Sequence, residues 1–247
     1  MSGHSKWASI KHKKAKTDAA RGKIFTRLIK EITVAARVGG GDEDGNPRLR
    51  TAVLAGKAAN MPAANIERAI KKGTGELPGV VYEEIVYEGY GPAGVALLID
   101  CVTDSKNRTV ADVRHILSKH HGSMASAGSV AFNFDKKGLV VIENPEQDED
   151  TLLELVLDHG AEDIVTVDGN VQITTAFTSL NDVSSVLDAN NIAYASANPV
   201  MIPKSTVKLE QKAAEQVLRL MDALEEHDDI QDVHANFDID DEVLQNL

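Results

Sequence analysis

The sequence contains a single cysteine, Cys101, and aromatic residues make up only 4% of its 247 positions. One cysteine excludes an internal disulfide and fits a reducing compartment. No apolar run approaches the roughly 20 residues that a membrane-spanning helix needs, and the basic N-terminus lacks the apolar core of a signal peptide. We therefore expect a cytoplasmic protein of two or three domains with no membrane partner.

The usual signatures of catalysis are also missing. The glycine-rich stretches 39–41 and 89–94 match neither a P-loop nor a dinucleotide fingerprint. The eight histidines show no HExxH spacing, and without paired cysteines His115, His120 and His121 make a poor metal site. Cys101 falls within an apolar run, which is typical of an inert buried thiol. We therefore expect no enzyme activity, no metal and no cofactor.

Charge is what the sequence has in excess, and its two signs are separated along the chain. Residues 1–77 contain 16 Lys or Arg and 7 Asp or Glu, a net charge of +9, whereas residues 78–247 contain 10 and 31, a net charge of −21. A basic head on an acidic body favours a polyanionic partner for the head. Nucleic acid is the simplest such partner, because phosphate contacts supply most of the sequence-independent affinity.

The basic residues of the head follow a helical period. One helix is predicted from Asp18 to Val38, with an apolar arc formed by Ile24, Phe25, Leu28, Ile29, Ile32, Ala35 and Ala36. The opposite arc, here called the basic ridge, consists of Lys16, Lys23, Arg27, Lys30 and Arg37. Many surface helices carry a solvated basic face, but the shortage of interspersed acids favours a polyanion here. A line of long cations is suited to phosphates rather than base edges.

Residues 1–16, here called the N-terminal arm, interleave Trp7 with many cations. Such an arm is able to track a phosphate backbone and stack a base on the indole. Alternatively, Trp7 folds back to cap the helical core. The residues predicted to bind nucleic acid are His4, Lys6, Trp7, Lys11, Lys13, Lys14, Lys16, Arg21, Lys23, Arg27, Lys30 and Arg37.

Two further helices are predicted in the head. Asn46 and Pro47 form a start signal, with Asn as the N-cap and Pro at the first helical position. That helix is expected to bury Leu49, Val53 and Leu54. Pro62 opens the third helix and Gly73 is expected to end it.

Residues 78–247 alternate between strand and helix patterns. From Gly138 to Met201 the order is βαββαβ, which is typical of a ferredoxin-like domain. A separate strand is predicted at 129–134 before it, and a helix at 207–226 with a strand at 229–236 after it. The flanking elements need each other to complete a core. The predicted domains are therefore a basic helical domain at 1–77, a discontinuous α+β domain at 78–135 plus 204–247, and an inserted ferredoxin-like domain at 136–203.

A short polar cluster opens the helix predicted after residue 106. It contains Asp104, Asn107, Arg108 and Thr109. The cluster is interpreted as a helix cap, although Arg108 beside a helix N-terminus would also be suited to hold a phosphate.

Several motifs occur together from one end of the chain to the other. They are Gly3–Trp7, Ile10–Lys14, Arg21–Lys23, Gly39–Gly41, Asn46–Arg50, Asn65–Ile70, Tyr87–Pro92, Asn107–Thr109 and Gly128–Val130. In this combination the chain resembles the YebC/PmpR family. Ser105 and His121 stand where the family pattern has Asn and Gly.

The resemblance implies a multidomain α and α+β fold. It consists of an N-terminal three-helix domain and two α/β sandwich domains, one ferredoxin-like and inserted in the other. It also implies a non-enzymatic regulator of gene expression, described in the family as a DNA-binding transcriptional regulator. The alternative is a ribosome-associated translation factor that binds ribosomal RNA and relieves stalled translation. The sequence leaves DNA and RNA open, and a monomer is favoured.

Overall fold

A computed structural model describes residues 18–167, 169–240 and 242–243 of the chain, with side chains from Gly22 onward. The helices are α1 Asp18–Gly39, α2 Pro47–Ala58, α3 Ala63–Thr74, α4 Lys106–Lys119, α5 Glu149–Leu157, α6 Leu180–Ala189 and α7 Gln211–Glu225. The strands are β1 Glu83–Tyr90, β2 Ala96–Thr103, β3 Ser123–Met124, β4 Phe134–Ile142, β5 Ala161–Val167, β6 Asn170–Ala176, β7 Ser196–Pro203, β8 Val207–Leu209, β9 Ile230–Ala235 and β10 Phe237–Ile239.

The predicted start of the second helix is confirmed. Asn46 is the N-cap of α2, and its Oδ1 accepts a hydrogen bond of 3.1 Å from the backbone N–H of Leu49. Pro47 follows at the first helical position, where the missing N–H costs nothing. The three N-terminal helices share one core, whose buried members are Ile32, Ala35, Ala36, Leu49, Ala52, Val53, Met61, Ile66 and Ala69.

Two expectations for these helices are wrong. Leu54 is 57% exposed rather than buried. Gly73 does not end α3 but lies buried inside it, because the helix packs closely on α1 there: a Cβ at Gly73 would collide with the carbonyl oxygen of Thr33 and lie 2.7 Å from the Cβ of Ala36. The helix ends instead at Gly75, whose φ of 84° is the left-handed conformation that glycine favours at a helix C-terminus.

The first sheet is antiparallel, with the strand order β3-β1-β2-β9. Alternate residues of β1 and β2, such as Tyr87, Leu97, Ile99 and Cys101, point into a core that α4 and α7 cover. Residues 207–226 were expected to form one helix. They form β8 and then α7, because Val207–Leu209 pairs in parallel with β10, a strand that the sequence patterns did not reveal.

The second sheet has the order β5-β6-β4-β7, and all of its pairs are antiparallel. With α5 and α6 this is the ferredoxin-like βαββαβ arrangement, as predicted. The separate strand expected at 129–134 was wrong. A short 3₁₀ turn at Ala131–Asn133 leads directly into β4, and Gly138 lies within that strand because Thr175 and Leu180 leave no room for a side chain.

The described residues form two compact units. One is Asn133–Lys204, and the other joins the residues before it to those from Ser205 onward. The fold class expected from the sequence, a multidomain α and α+β protein with a helical N-terminal region, is confirmed. The further division of the larger unit into a helical and an α+β domain stays a prediction. Within the described ranges, no helix is both long and apolar enough to cross a bilayer.

Candidate nucleic-acid interface

Lys30 does not lie on an exposed ridge. Lys30 is only 6% exposed. Its ammonium donates to Asp229 Oδ1 at 2.6 Å, to the carbonyl of Asp228 at 2.8 Å and to the carbonyl of Val102 at 3.2 Å. The expectation of a continuous solvent-facing line of cations is therefore wrong at this position. In this structure Lys30 attaches α1 to the loop before β9 and to the end of β2, and its charge is already compensated.

Asp229 is the centre of this contact. Besides Lys30, its carboxylate accepts hydrogen bonds from Arg108 at 2.7 Å, Thr109 at 2.8 Å and Thr103 at 3.1 Å. Burial disfavours its charge, but the hydrogen bonds from Lys30, Arg108 and Thr109 outweigh that penalty and hold the pKa of Asp229 well below its usual range. Arg108 and Thr109 thus bind a carboxylate of this chain, neither capping the helix nor facing a free phosphate.

The cap interpretation of the polar cluster is accordingly wrong. Ser105 is the N-cap residue of α4, and its side chain makes no capping hydrogen bond. Its backbone N–H donates instead to Thr103 Oγ1 at 2.9 Å. The start of α4 is therefore tied to the end of β2 and, through Thr109 and Arg108, to Asp229.

Two more cations of the basic ridge contact backbone carbonyls of the same unit. The guanidinium of Arg27 donates to the carbonyl of Glu225 at the end of α7, and that of Arg37 donates to the carbonyl of Tyr82 before β1. Arg27 is half-buried and Arg37 is exposed. A backbone carbonyl leaves the guanidinium charge unneutralised, so both remain cationic positions at the edge of the contact.

Arg48 of α2 also joins the helices to the sheet, and here the cation is paired with carboxylates. Its guanidinium binds Glu31 of α1 through two hydrogen bonds of 2.7 and 3.0 Å, and it binds Glu84 of β1 at 2.6 Å. The hydrogen bonds that Arg48 donates to both carboxylates raise its pKa. Charged residues that looked like solvated head positions therefore connect the helices to the sheet.

The remaining predicted residues are distributed as follows. Lys23 is half-buried on α1 and has no polar partner among the described residues. Arg21 belongs to α1. The predicted positions that lie outside the described residues are His4, Lys6, Trp7, Lys11, Lys13, Lys14 and Lys16.

Two exposed cations on α3 lie outside the predicted set. Arg68 and Lys72 are both exposed, one helical turn apart, and neither contacts a carboxylate in the described part of the chain. Their spacing of four residues was the available signal, because such residues share a helix face. Neighbouring Lys71 is different, since it pairs with Glu67 at 2.6 Å.

An open cleft of about 490 Å³ lies beside the Lys30–Asp229 pair. Its lining is Thr26, Lys30, Tyr82, Asp104, Arg108, Glu226, His227, Asp228 and Asp229. The acids outnumber the cations and both cations are already paired with carboxylates, so the cleft is poorly suited to an anion. No group of three His, Cys, Asp or Glu side chains in the described ranges is placed to hold a metal ion.

Cys101 lies in β2 and is 2% exposed. Burial, reinforced by the negative charges of Asp100 and Asp229, raises the pKa of its thiol to about 12. The thiolate is therefore scarce at neutral pH, which is unfavourable for nucleophilic or redox chemistry.

Comparison with known proteins matches both parts of the chain. Residues 5–76 match the model of the TACO1/YebC protein N-terminal domain, and residues 82–237 match that of the TACO1/YebC second and third domain. A probable transcriptional regulatory protein of Desulforapulum autotrophicum is 58% identical over all of both chains. A protein of the same description from Geobacter sulfurreducens is 54% identical, again over both full lengths.

A solved structure is also similar. The crystal structure of a conserved hypothetical protein from Aquifex aeolicus superposes with a TM-score of 0.88 at 47% sequence identity, covering 97% of this chain and 99% of that one.

Proposed function

The chain belongs to the TACO1/YebC family, and we propose that it is a non-enzymatic regulator of gene expression that binds nucleic acid, with DNA as the principal ligand. The observation that carries the proposal is the separation of charge between residues 1–77, at +9, and residues 78–247, at −21. A polyanion is attracted to the first segment and repelled by most of the second. The names of the relatives as probable transcriptional regulatory proteins support the same conclusion.

Phosphate binding is assigned mainly to the N-terminal arm. No Asp or Glu occurs in the sequence of the arm before Asp18. Lys23 continues the positive charge into α1. Lys30 is left out because Asp229 already compensates it. Arg27 and Arg37 reach phosphates only by exchanging a carbonyl acceptor for a phosphate oxygen.

The test replaces Lys11, Lys13, Lys14 and Lys16 together by Gln in the full chain. Each phosphate contact on duplex DNA contributes about 0.9 to the slope of log affinity against log salt concentration, so the slope should fall by roughly 3–4. The loss should be similar on unrelated sequences, because backbone contacts carry no base information.

A matched control replaces four exposed lysines elsewhere, namely Lys136, Lys204, Lys208 and Lys212. It gives the same formal charge and should keep the slope of the wild type. Equal slopes for the arm variant and the wild type would refute the assignment to the arm. Absence of nucleic-acid binding by the wild type would refute the proposed function itself.

Phosphate chemistry is common to DNA and RNA, so the ligand must be identified in cells. Crosslinking followed by sequencing of both nucleic acids does this directly. Enrichment of promoter DNA supports the transcriptional role. Enrichment of ribosomal RNA instead supports the alternative, a ribosome-associated translation factor that relieves stalled translation.

A further inference from the structure

Helix α4 carries an unusual share of positive charge for its surroundings. Residues 78–247 contain ten Lys or Arg, and four of them lie within the 14 residues of this helix. The helix contains a single acid, Asp112. Helix α4 therefore carries a net charge opposite to that of the acidic body.

The exposed side of α4 is formed by a well-defined arc. Val113 and Leu117 are fully buried and face the core, whereas Arg114, His115 and Lys119 are exposed. His121, just after the helix, is exposed as well. We call Arg114, His115, Lys119 and His121 the α4 face. Arg114 and Lys119 are separated by about 7.5 Å along the helix axis.

The α4 face differs from the other two cations of the same helix because its charges are not compensated. Lys106 pairs with Glu83 at 2.5 Å, and Arg108 pairs with Asp104 and Asp229. Asp112 is directed to His227, with its Oδ2 at 3.2 Å from the ring Nε2. In the described part of the chain, the side chains of the α4 face have no hydrogen bond or ion pair.

His121 adds a separate observation. Its φ is 62°, in the left-handed region that disfavours residues with a Cβ. The backbone N–H of Gly122 donates to the carbonyl of Leu117 at 2.7 Å, which is the hydrogen bond that ends a helix when the preceding residue is left-handed. The exposed imidazole of His121 follows Lys119 beyond the end of the helix.

We propose that the α4 face is a second surface that contacts the phosphate backbone of a nucleic acid. The inference rests on the proposed function and extends it, because the acidic body then takes part in binding. A nucleic acid held by the N-terminal arm would be repelled by most of the body and would be accepted at this face.

The test compares two double variants of the full chain on one duplex DNA and one single-stranded RNA across a salt series. Arg114→Ala with Lys119→Ala removes two charges from the α4 face. Lys136→Ala with Lys204→Ala removes two exposed charges from the Asn133–Lys204 unit. The first variant should lower the slope on the duplex by about 1.8, and the second should leave it unchanged.

Folding is checked separately. Exposed helix positions accept alanine at little cost, so the α4 variant should unfold at the same urea concentration as the wild type. The variant Arg114→Lys with Lys119→Arg keeps both charges, and it should keep the slope. This conservative variant separates loss of charge from loss of shape.

Two results would overturn the inference while leaving the proposed function intact. One is an unchanged slope for Arg114→Ala with Lys119→Ala when the wild type binds, and the other is an equal change in the Lys136/Lys204 control. The inference would also be overturned, in favour of a membrane-surface contact, if Arg114→Ala with Lys119→Ala weakened binding to vesicles of anionic lipid but left nucleic-acid binding unchanged. A wild type that binds no nucleic acid would refute the proposed function and this inference together.

Discussion

Replacing Lys30 by Ala provides a direct test of whether this lysine serves the fold or a ligand. The ammonium is buried between Asp229, 2.6 Å away, and the carbonyls of Asp228 and Val102. A lysine that faced phosphates would tolerate alanine at little cost. A lysine that fixes α1 to the sheet would not, because its removal leaves a buried carboxylate without its closest cation.

The expected magnitude follows from the partners that remain. Breaking a buried ion pair by deleting one member costs about 3–5 kcal/mol when the other charge is left uncompensated. Arg108, Thr103 and Thr109 still donate to Asp229 in the variant, so the cost should lie at the lower end of that range. We expect a loss of about 3 kcal/mol in the free energy of unfolding.

Urea unfolding followed by far-UV circular dichroism measures this loss. Because the chain has two compact units, hydrogen exchange at the amides of α1 and of β9 should accompany it, to assign the loss to the larger unit. Lys23→Ala is the matched control on the same helix, since Lys23 has no described polar partner. A loss below about 0.5 kcal/mol, the typical range of surface substitutions, would refute the reasoning.

Three other perturbations test separate contacts. Gly73→Ala should destabilise by about 1–3 kcal/mol through collision with α1, whereas Gly22→Ala, with open space around it, should be neutral or stabilising in the same thermal melt. Asp229→Asn should lower the free energy of unfolding most at neutral pH. Because the pKa of Asp229 is lowered in the folded state, its carboxylate stabilises the fold fully above the ordinary Asp pKa of about 4. This contribution is lost as the pH falls from there towards the lowered pKa of the folded state. The difference in free energy of unfolding between variant and wild type should therefore narrow in urea titrations at acid pH. Glu88→Gln should cost about 1–3 kcal/mol, because the carboxylate accepts from the amides of Gly128, Val130 and Ala131; unchanged proteolysis of that loop would argue against this.

Local patterns were sufficient to predict most of the secondary structure. The 3.6-residue period placed α1 within one residue of its observed end, and Asn46 with Pro47 marked the start of α2 because capping chemistry is local. The βαββαβ order of the ferredoxin-like unit was also predicted from local patterns, namely the alternation of strand and helix periods. The errors occurred where tertiary contacts override local preference, as at Gly73 and Gly138, whose missing side chains allow close packing rather than a turn.

The contact at Asp229 was beyond the reach of local patterns. Lys30 and Asp229 are separated by 199 residues, and a helical wheel assigns any Lys opposite the apolar arc to solvent. The charge separation was interpreted as attraction for an external polyanion, although it also permits attraction between the head and the body. Arg48, which binds Glu31 and Glu84, shows the same ambiguity. The charge pattern did not distinguish intramolecular from external partners, and the structure shows an intramolecular partner for Lys30 and for Arg48.

Lys23 and Arg27 should give opposite signatures in one pair of experiments. Arg27 donates to the carbonyl of Glu225, so Arg27→Ala should lower the free energy of unfolding by about 1–2 kcal/mol and leave the salt dependence of nucleic-acid binding unchanged. Lys23 has no described polar partner, so Lys23→Ala should leave unfolding unchanged and reduce the slope on duplex DNA by about 0.9. The measurements are urea unfolding and a binding series in salt for both variants. A reduced slope with unchanged stability for Arg27→Ala would show that its carbonyl contact yields to phosphate, and that the ridge on α1 extends one turn further than the intramolecular contacts indicate.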